Sequence, residues 1–288
     1  MNPVNKDWYV EQILHEDKLL QDELEKNGLS VDRVAWDDRK FDFSTARVIM
    51  LRATWDYFQR MDEFTEWLDK VEKKTEILNS AGLIRWNIDK HYIGDLQGAG
   101  INTTPTIFIE QGDTVKLSAL FKIVSYDDAV LKPCIGGGAY NTFRVNADNC
   151  TDLEETFQKL ILDQAMMFQP FQKNILKNGE ASHMIFGGKY THSVIKKAKK
   201  GDYRVQDDFG GTVEDYKASP EEIAFAEMVI TKMNPIPAYA RVDVVKDNSN
   251  KLSVVELELI EPELWFRVKP EAAKVLADVI TEKLQLVS

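Results

Sequence analysis

The sequence predicts a mixed fold, α/β in its first part and α+β in the remainder. Helical and strand patterns alternate before Asp128, and strand patterns dominate after it. The chain has 288 residues. At roughly 150 residues per domain, this length predicts about two domains or one multi-lobed unit.

Apolar spacing and turn residues define the elements of the first part. Apolar residues recur at helical spacing up to Asn27-Gly28, a pair that favours a helix end. Runs rich in Val and Ile then favour strands. In order, we expect helices over residues 8–27, 62–79 and 87–100, and strands over residues 31–36, 46–51 and 104–109.

Short strand-like runs predominate in the second part. Gly187-Gly188 between two of them indicates a hairpin turn, and Pro270 suits the first turn of a final helix. We expect strands over residues 129–133, 142–145, 166–171, 181–186, 190–196, 238–246 and 252–260, and helices over residues 152–164, 220–233 and from 270 onward.

Charge and composition exclude several classes of protein. Lys and Arg number 36 against 47 Asp and Glu, a formal net charge of −11, which repels phosphate backbones and anionic membranes. We therefore expect neither a nucleic acid nor a membrane as partner. No apolar run reaches roughly 18 residues, and residues 1–6 lack the order of a signal peptide. With only Cys134 and Cys150, no disulfide framework is expected, and we predict a cytoplasmic protein.

Three carboxylates lie on two strands that follow each other near the C-terminus. Period two places Arg241 and Asp243 on one face of the first strand, and Glu256 and Glu258 on one face of the second. Unit charges about 7 Å apart repel by roughly 2 kcal/mol at an effective dielectric near 20, so the patch requires a cation or a basic neighbour.

The turn between these strands sets their expected register. If Lys246 faces Lys251, Asp243 lies opposite Val254 and diagonal to Glu256. Hard oxygen ligands without His or Cys favour magnesium or manganese over zinc. The alternative is a solvated strand face with Arg241 as the partner of the carboxylates. The apolar surroundings favour a buried metal site.

A lysine precedes a glycine-rich loop in the segment 132–139. Lys132 is followed by Gly136, Gly137 and Gly138, and such a loop lets backbone N–H groups approach phosphate oxygens while the ammonium adds a positive charge. It does not match the Walker pattern. Alternatively, the three glycines form only a flexible turn and bind no phosphate.

An apolar strand ends in Gln169, Pro170 and Phe171. Because proline stops the ladder of hydrogen bonds, the backbone there could serve a planar ring. The alternative is a core strand that ends at a proline.

Two further segments crowd functional side chains together. The first contains Arg52, Trp55, Asp56 and Tyr57 at the end of a strand, where ligands of α/β proteins bind. Arg52 would pair with a substrate carboxylate and Asp56 with an ammonium, or the two would pair with each other while the rings pack the loop.

In the second segment Arg204 is followed by Gly210 and Gly211, which suits an anionic intermediate or a plain surface hairpin. The four histidines show no ligand spacing, and neither cysteine has a convincing base partner for catalysis.

The order of these motifs resembles the ATP-grasp superfamily, in detail its glutathione synthetase-like and cycloserine-biosynthesis-like branch. The similarity covers about residues 29–268, and its most specific parts are residues 52–57, 84–90, 131–133 and 255–262. The resemblance implies two α+β lobes that grip ATP beside an N-terminal α/β domain, with boundaries at 1–86, 87–165 and 166–288. It also implies a ligase that activates a carboxylate of a small, amino-acid-like molecule as an acyl phosphate, which an amine or related nitrogen nucleophile then attacks.

The resemblance also implies roles for individual residues. Lys90 and Lys132 would bind ATP phosphates beneath a lid of Gly136, Gly137 and Gly138. The adenine would contact Gln169, Pro170 and Phe171, with Glu180 near adenine or ribose; Lys196 and Arg204 would stabilise the transferred group; Asp243, Glu256 and Glu258 would hold two Mg²⁺ ions, or Mn²⁺. Relatives often have Asn at the third of these positions, so Glu258 adds negative charge.

Two matters stay open at the level of sequence. Residues 1–6 are too short and polar for the apolar strand that normally begins such an N-terminal domain, so either the start is truncated or the sheet lacks its first strand. A small-molecule kinase on the same scaffold and a nucleotide-binding protein without turnover are the alternatives to a ligase, and a homodimer is one alternative for the oligomeric state.

Overall fold

The computed structural model describes residues 8–199, 201–202, 204–205 and 210–286. Residues 1–6, where a first strand is expected to be truncated or missing, and Tyr203 lie outside the described residues. The helices are α1 Trp8–Lys26, α2 Met61–Val71, α3 Ala81–Ile88, α4 Tyr92–Gly98, α5 Leu117–Ile123, α6 Cys150–Asp163, α7 Ile175–Asn178, α8 Pro220–Thr231 and α9 Ala272–Leu286. The strands are β1 Val48–Met50, β2 Glu76–Leu78, β3 Ile107–Ile109, β4 Asp128–Pro133, β5 Phe143–Asn146, β6 Met166–Pro170, β7 Glu180–Phe186, β8 Lys189–Lys197, β9 Thr212–Asp215, β10 Tyr239–Lys246 and β11 Leu252–Glu258.

The described strands form three sheets, which confirms the mixed fold class. β1 and β2 pair in parallel. The other two sheets are antiparallel, with strand orders β3-β6-β4-β5 and β11-β10-β7-β8-β9. The division at 1–86, 87–165 and 166–288 stays a prediction; β6 pairs with β3 and β4 although it begins the third range.

Helix α1 packs against the C-terminal helix. Its buried Leu20 and Leu24 share a hydrophobic cluster with Leu276 and Ile280 of α9, so the first helix is held by the last one. No helix in the described part of the chain is long and apolar enough to span a bilayer.

Two predictions for the first part are wrong. Residues 31–36 form no strand, because Val31 packs on the α1–α9 cluster while Trp36 packs on Phe64 of α2, with 5.4 Å between ring centroids. The helix predicted over 62–79 ends at Val71, and Glu76–Leu78 form β2 instead. The apolar pattern is continuous because α2 and β2 fill the same core.

The segment 87–109 also differs from its prediction. Asp89 adopts an extended backbone that ends α3, so the predicted helix over 87–100 is divided between α3 and α4. The strand predicted from residue 104 begins only at Ile107, because the Thr104 N–H donates to Val254 O at 3.2 Å. The remaining predicted elements are confirmed within a few residues, including the Gly187-Gly188 hairpin. Helices α5 and α7 and strand β9 were not predicted.

Candidate active site

A cleft of about 640 Å³ lies between the two antiparallel sheets. Strands β4 and β6 of one sheet and β7, β8, β10 and β11 of the other contribute to its walls. Most residues singled out from the sequence line it: Trp55, Tyr57, Lys90, Lys132, Gly136, Gly137, Gly138, Gln169, Pro170, Phe171, Glu180, Lys196, Arg204, Glu256 and Glu258.

Five of the predicted site residues do not line this cleft. Arg52 donates to Asp17 at 3.2 Å and to Pro262 O at 2.7 Å, and Asp56 accepts from the Trp36 indole at 2.9 Å and pairs with Arg60. Arg52 thereby ties the end of β1 to α1, and Asp56 joins Trp36 to Arg60; the assignment of both residues to substrate stays a prediction. The others are Gly210, Gly211 and Asp243.

The register of β10 and β11 differs from the predicted one. Lys246 faces Leu252, not Lys251, and a bulge shifts the pairing between Asp243 and Val244. Asp243 consequently lies directly opposite Glu256 rather than Val254. A bulge adds one residue to one strand of a pair, which the pattern of residue types did not reveal.

Asp243 is buried beneath the cleft and accepts hydrogen bonds from three side chains. Ser182 Oγ donates at 2.6 Å, Lys196 Nζ at 3.0 Å, and both Arg241 Nε and Nη2 donate, Nη2 at 2.9 Å. Burial opposes the negative charge, but the cations Arg241 and Lys196 outweigh it and keep the pKa of Asp243 below its ordinary value.

The two glutamates of β11 are unequal. Burial opposes the charge on Glu256, but Lys90, whose Nζ lies 3.4 Å from Glu256 Oε1, and Lys132 outweigh it and lower the pKa of Glu256. Glu258 pairs with Arg241. Burial raises the pKa of Glu258 to about 7, only partly offset by Arg241.

The carboxylates fit a hard divalent cation. Asp243, Glu256 and Glu258 each offer an oxygen, and these atoms lie within 4.8 Å of one another. Oxygen donors alone, without imidazole or thiolate, suit Mg²⁺ or Mn²⁺. In the structure, the side chains of Arg241, Lys196 and Lys90 neutralise these carboxylates. A metal ion bound there would take over part of that neutralisation.

Two lysines and the glycine-rich loop meet at one end of the cleft. Lys132 is on β4, and burial lowers its pKa. Lys90 lies between α3 and α4; its Nζ donates to Gly136 O and its backbone N–H to Cys134 O at 2.9 Å. Gly138 has φ of +57°, in the left-handed region that glycine favours. The loop is therefore held at its base by a lysine that also faces the carboxylates.

The end of β6 differs from its prediction. Pro170 stays in the ladder opposite Ala129, and the Phe171 N–H donates to Asp128 O at 2.9 Å. The proline therefore does not stop the pairing, and this backbone donor is already satisfied. The Gln169 side chain donates to Thr106 Oγ1 at 2.8 Å.

Lys196 and Glu180 face each other across β7 and β8. Glu180 pairs with Lys196 in the register, and their side chains form a buried ion pair. Burial raises the pKa of Glu180, although Lys196 offsets part of the effect. Burial opposes the charge on Lys196, but Asp243 and Glu180 outweigh it and raise its pKa. Arg204 lines the cleft and pairs with Asp202 at 2.8 Å.

Other residues of the cleft were not assigned to it from the sequence. Arg241 lines the cleft, and its period-two spacing from Asp243 could have indicated this. Glu261 and Trp265 follow β11 and also line it. Tyr9 reaches the cleft from α1, where its ring lies 5.4 Å from that of Trp55. The helical pattern carried no signal for Tyr9, because its position depends on α1 packing against α9.

Two antiparallel sheets around a cleft with opposed lysines and carboxylates define an ATP-grasp fold. A model of the ATP-grasp domain of prokaryotic glutathione synthetase matches residues 102–257, more than half of the chain. The chain belongs to this family, which is one of ATP-dependent ligases. A model of the N-terminal domain of the D-cycloserine synthetase DcsG matches residues 4–79.

The sequence identity to named relatives and to solved structures is low. The cycloserine biosynthesis protein DcsG of Streptomyces lavendulae is 23% identical over 272 residues, which cover 90% of each chain. A crystal structure of D-cycloserine synthetase DcsG matches with a TM-score of 0.86, at 23% identity and over 95% of this chain and 96% of that one. The D-alanine–D-alanine ligase of Bacillus anthracis matches with a TM-score of 0.65, at 16% identity and over 98% and 95% of the two chains. The predicted superfamily and enzyme class are thereby confirmed.

Proposed function

We propose that this protein activates a carboxylate of a small, amino-acid-like molecule as an acyl phosphate and joins it to an amine or related nitrogen nucleophile, at the expense of ATP and with two Mg²⁺ ions. The observation that carries the proposal is that Asp243 pairs with Glu256, whose carboxylate lies at the cleft beside Lys90, at 3.4 Å, and Lys132. Phosphoryl transfer between two anions depends on charge neutralisation and positioning more than on acid or base groups.

The phosphates of ATP are assigned to the end of the cleft where Lys90 and Lys132 meet the loop 136–138. Both ammonium groups are within reach of the polyphosphate, and the loop closes over it to exclude water from the acyl phosphate. The Lys90–Gly136 hydrogen bond supports this role, because it couples the position of the loop to a phosphate-binding group.

The metal ions are assigned to Asp243, Glu256 and Glu258. Held by these carboxylates, magnesium would neutralise the charge that develops during phosphoryl transfer. The proposal of two ions rests on the resemblance to ATP-grasp ligases and on three carboxylates whose ligand oxygens lie within 4.8 Å of one another. A structure of the ATP-grasp ligase PsnB, of TM-score 0.62 to this chain at 14% identity, contains Mg and ADP.

Lys196 and Arg204 are assigned to the transferred phosphoryl group and the tetrahedral intermediate. Both line the cleft, and Lys196 is oriented by Glu180 and Asp243 on either side. The adenine is assigned to Gln169, Pro170 and Phe171, with Glu180 towards the ribose. In support, the residues of β6 are buried and, except for Gln169, apolar. A planar ring requires such an apolar surface.

The substrate is assigned to the end of the cleft that Trp55, Tyr57 and Tyr9 line. Glu263, which pairs with Arg267 at 3.0 Å, also lines the cleft, and a carboxylate suits the ammonium of an amino acid. The relatives named for D-cycloserine and D-alanine support an amino-acid-like substrate.

The test measures ADP and inorganic phosphate released from ATP and Mg²⁺ in the presence of D- and L-amino acids and dipeptides. A ligase releases both products in equal amounts and only with the correct substrate. Glu256→Gln should abolish release, whereas Glu214→Gln, a matched change at an exposed carboxylate of β9, should leave it unchanged. ADP without free phosphate would indicate a kinase instead, and neither product with bound ATP would indicate a nucleotide-binding protein without turnover.

A further inference from the structure

A second set of metal-ligating side chains lies beside the two phosphate-binding lysines. Asp89 and His91 flank Lys90, and Cys134 comes two residues after Lys132. Asp89, His91 and Cys134 each offer a ligand atom, and these atoms lie within 4.8 Å of one another. None of the three lines the nucleotide cleft, so the set is separate from the magnesium site.

The backbone holds these residues together. The Lys90 N–H donates to Cys134 O at 2.9 Å, which ties the turn before α4 to the end of β4. Asp89 Oδ1 accepts from the His91 N–H at 3.0 Å and lies 2.6 Å from His91 Nδ1. The carboxylate and the imidazole are therefore fixed next to each other before any ion binds.

A further carboxylate stands behind the imidazole. His91 Nε2 lies 3.3 Å from Glu110 Oε1, and the ring stacks on Phe108 with 4.3 Å between centroids. A histidine that binds a metal through one nitrogen almost always donates its other N–H to a carboxylate, carbonyl or water. Glu110 occupies that outer position while Nδ1 lies next to Asp89.

The donor atoms select the kind of ion. Thiolate, imidazole and carboxylate together suit zinc and similar transition metals, whereas magnesium prefers oxygen alone. Three protein ligands leave a fourth, tetrahedral position for water. The side chains of Asp89 and His91 are 42% and 36% exposed, which provides a path for the ion, and the Cys134 thiol is free of any disulfide.

We propose that Asp89, His91 and Cys134 bind one zinc-class ion on the reverse side of the segment that presents Lys90 and Lys132, with Glu110 orienting His91. The ion links the turn before α4 to the end of β4. It fixes the two lysines relative to each other and stabilises the folded chain, because an unfolded chain does not preform the site.

The test uses the full chain, stripped of metal by a chelator and titrated with Co²⁺ in excess Mg²⁺, which occupies the carboxylate site. We expect one Co²⁺ per chain with a near-ultraviolet sulfur-to-cobalt charge-transfer band, displaced by Zn²⁺. The band should disappear in Cys134→Ser and persist in Cys150→Ser, a matched change at the other cysteine of the chain. Zn²⁺ should raise the thermal midpoint of Cys150→Ser but not that of Cys134→Ser.

His91→Gln keeps the proposal testable if Cys134→Ser fails to fold, because His91 is partly exposed. Loss of this ligand should weaken Co²⁺ binding at least about tenfold. A cobalt spectrum without a sulfur band, or one that survives Cys134→Ser or depends on Cys150, would overturn the proposal.

Discussion

Asp243 lies directly opposite Glu256 in the β10–β11 pair, because a bulge after Asp243 shifts the register by one residue. Like charges directly opposite each other destabilise a sheet unless they are compensated. Here Arg241 and Lys196 compensate Asp243, and Lys90 approaches Glu256 at 3.4 Å. The bulge therefore places two carboxylates together, where they meet cations from β10, β8 and the turn between α3 and α4.

Replacing Asp243 tests the metal assignment. Asp243→Asn keeps the size of the side chain but removes its charge, so we expect magnesium to bind more weakly and kcat/KM to fall on the order of 100-fold or more. The measurement is the dependence of ADP release on magnesium concentration. Glu214→Gln, on the edge strand of the same sheet, should change neither quantity. Unchanged magnesium dependence and turnover in Asp243→Asn would remove Asp243 from the site.

Adjacent lysines on β8 provide a matched pair for stability. Lys196 is 7% exposed between Glu180 and Asp243, whereas Lys197 is 49% exposed and pairs with Glu214. Lys196→Met leaves the buried Glu180 without its ion pair and removes one of the two cations beside Asp243, which should lower the free energy of unfolding by about 3–5 kcal/mol. Lys197→Met should cost less than about 1 kcal/mol. Urea unfolding of the two variants checks this, and equal losses would contradict a buried ion-pair network.

The residue types of the site were predictable, but their geometry was only partly so. Period two placed Asp243, Glu256 and Glu258 on shared strand faces, since strand alternation is local. The register was not predictable, because the bulge depends on how β10 and β11 are held by other elements. The partners of Arg52, Asp17 and Pro262 O, were not predictable for the same reason, because they are distant from it in sequence.

The same distinction applies to the fold. Residues 62–79 were predicted as one helix, yet helix α2 and strand β2 divide them. Periodicity reports which side chains face a core, and a segment as short as residues 76–78, with apolar Ile77 and Leu78, fits either element. The segment is a strand because it pairs with β1, and such pairing depends on residues that are distant in sequence.

Two glycines with positive φ allow the strain of that backbone conformation to be compared with the crowding of an added side chain. Gly179 has φ of +77°, and a Cβ there would lie 2.5 Å from Lys196 O; Gly28 has φ of +85° with no atom within 4 Å of such a Cβ. Gly28→Ala should cost about 1–2 kcal/mol, the strain of a left-handed residue. Gly179→Ala should cost more, because the β8 backbone must move, and should also lower turnover by displacing Lys196. Urea unfolding and ADP release measure these effects, and equal costs for the two variants would show that the contact at Lys196 is relieved without strain.

Glu16 predicts a pH dependence of stability. It is buried in α1, and burial raises its pKa from 4.5 to about 7, with Glu263 adding to the shift and Arg52 opposing it. A carboxyl group whose pKa is raised by folding favours the folded state when protonated. Its contribution is complete below about pH 4.5 and is lost as the pH rises through about 7, by at most on the order of 3 kcal/mol.

Glu16→Gln keeps the neutral form at every pH. The free energy of unfolding of this variant relative to wild type should therefore increase between about pH 5 and about pH 8, by up to the same few kcal/mol. Glu11→Gln, at an exposed position of the same helix, should show no such increase. Urea unfolding at both pH values measures the two differences. If Glu16→Gln is as destabilising at the higher pH as at the lower one, Glu16 is charged in the folded protein and Arg52 compensates its burial in full.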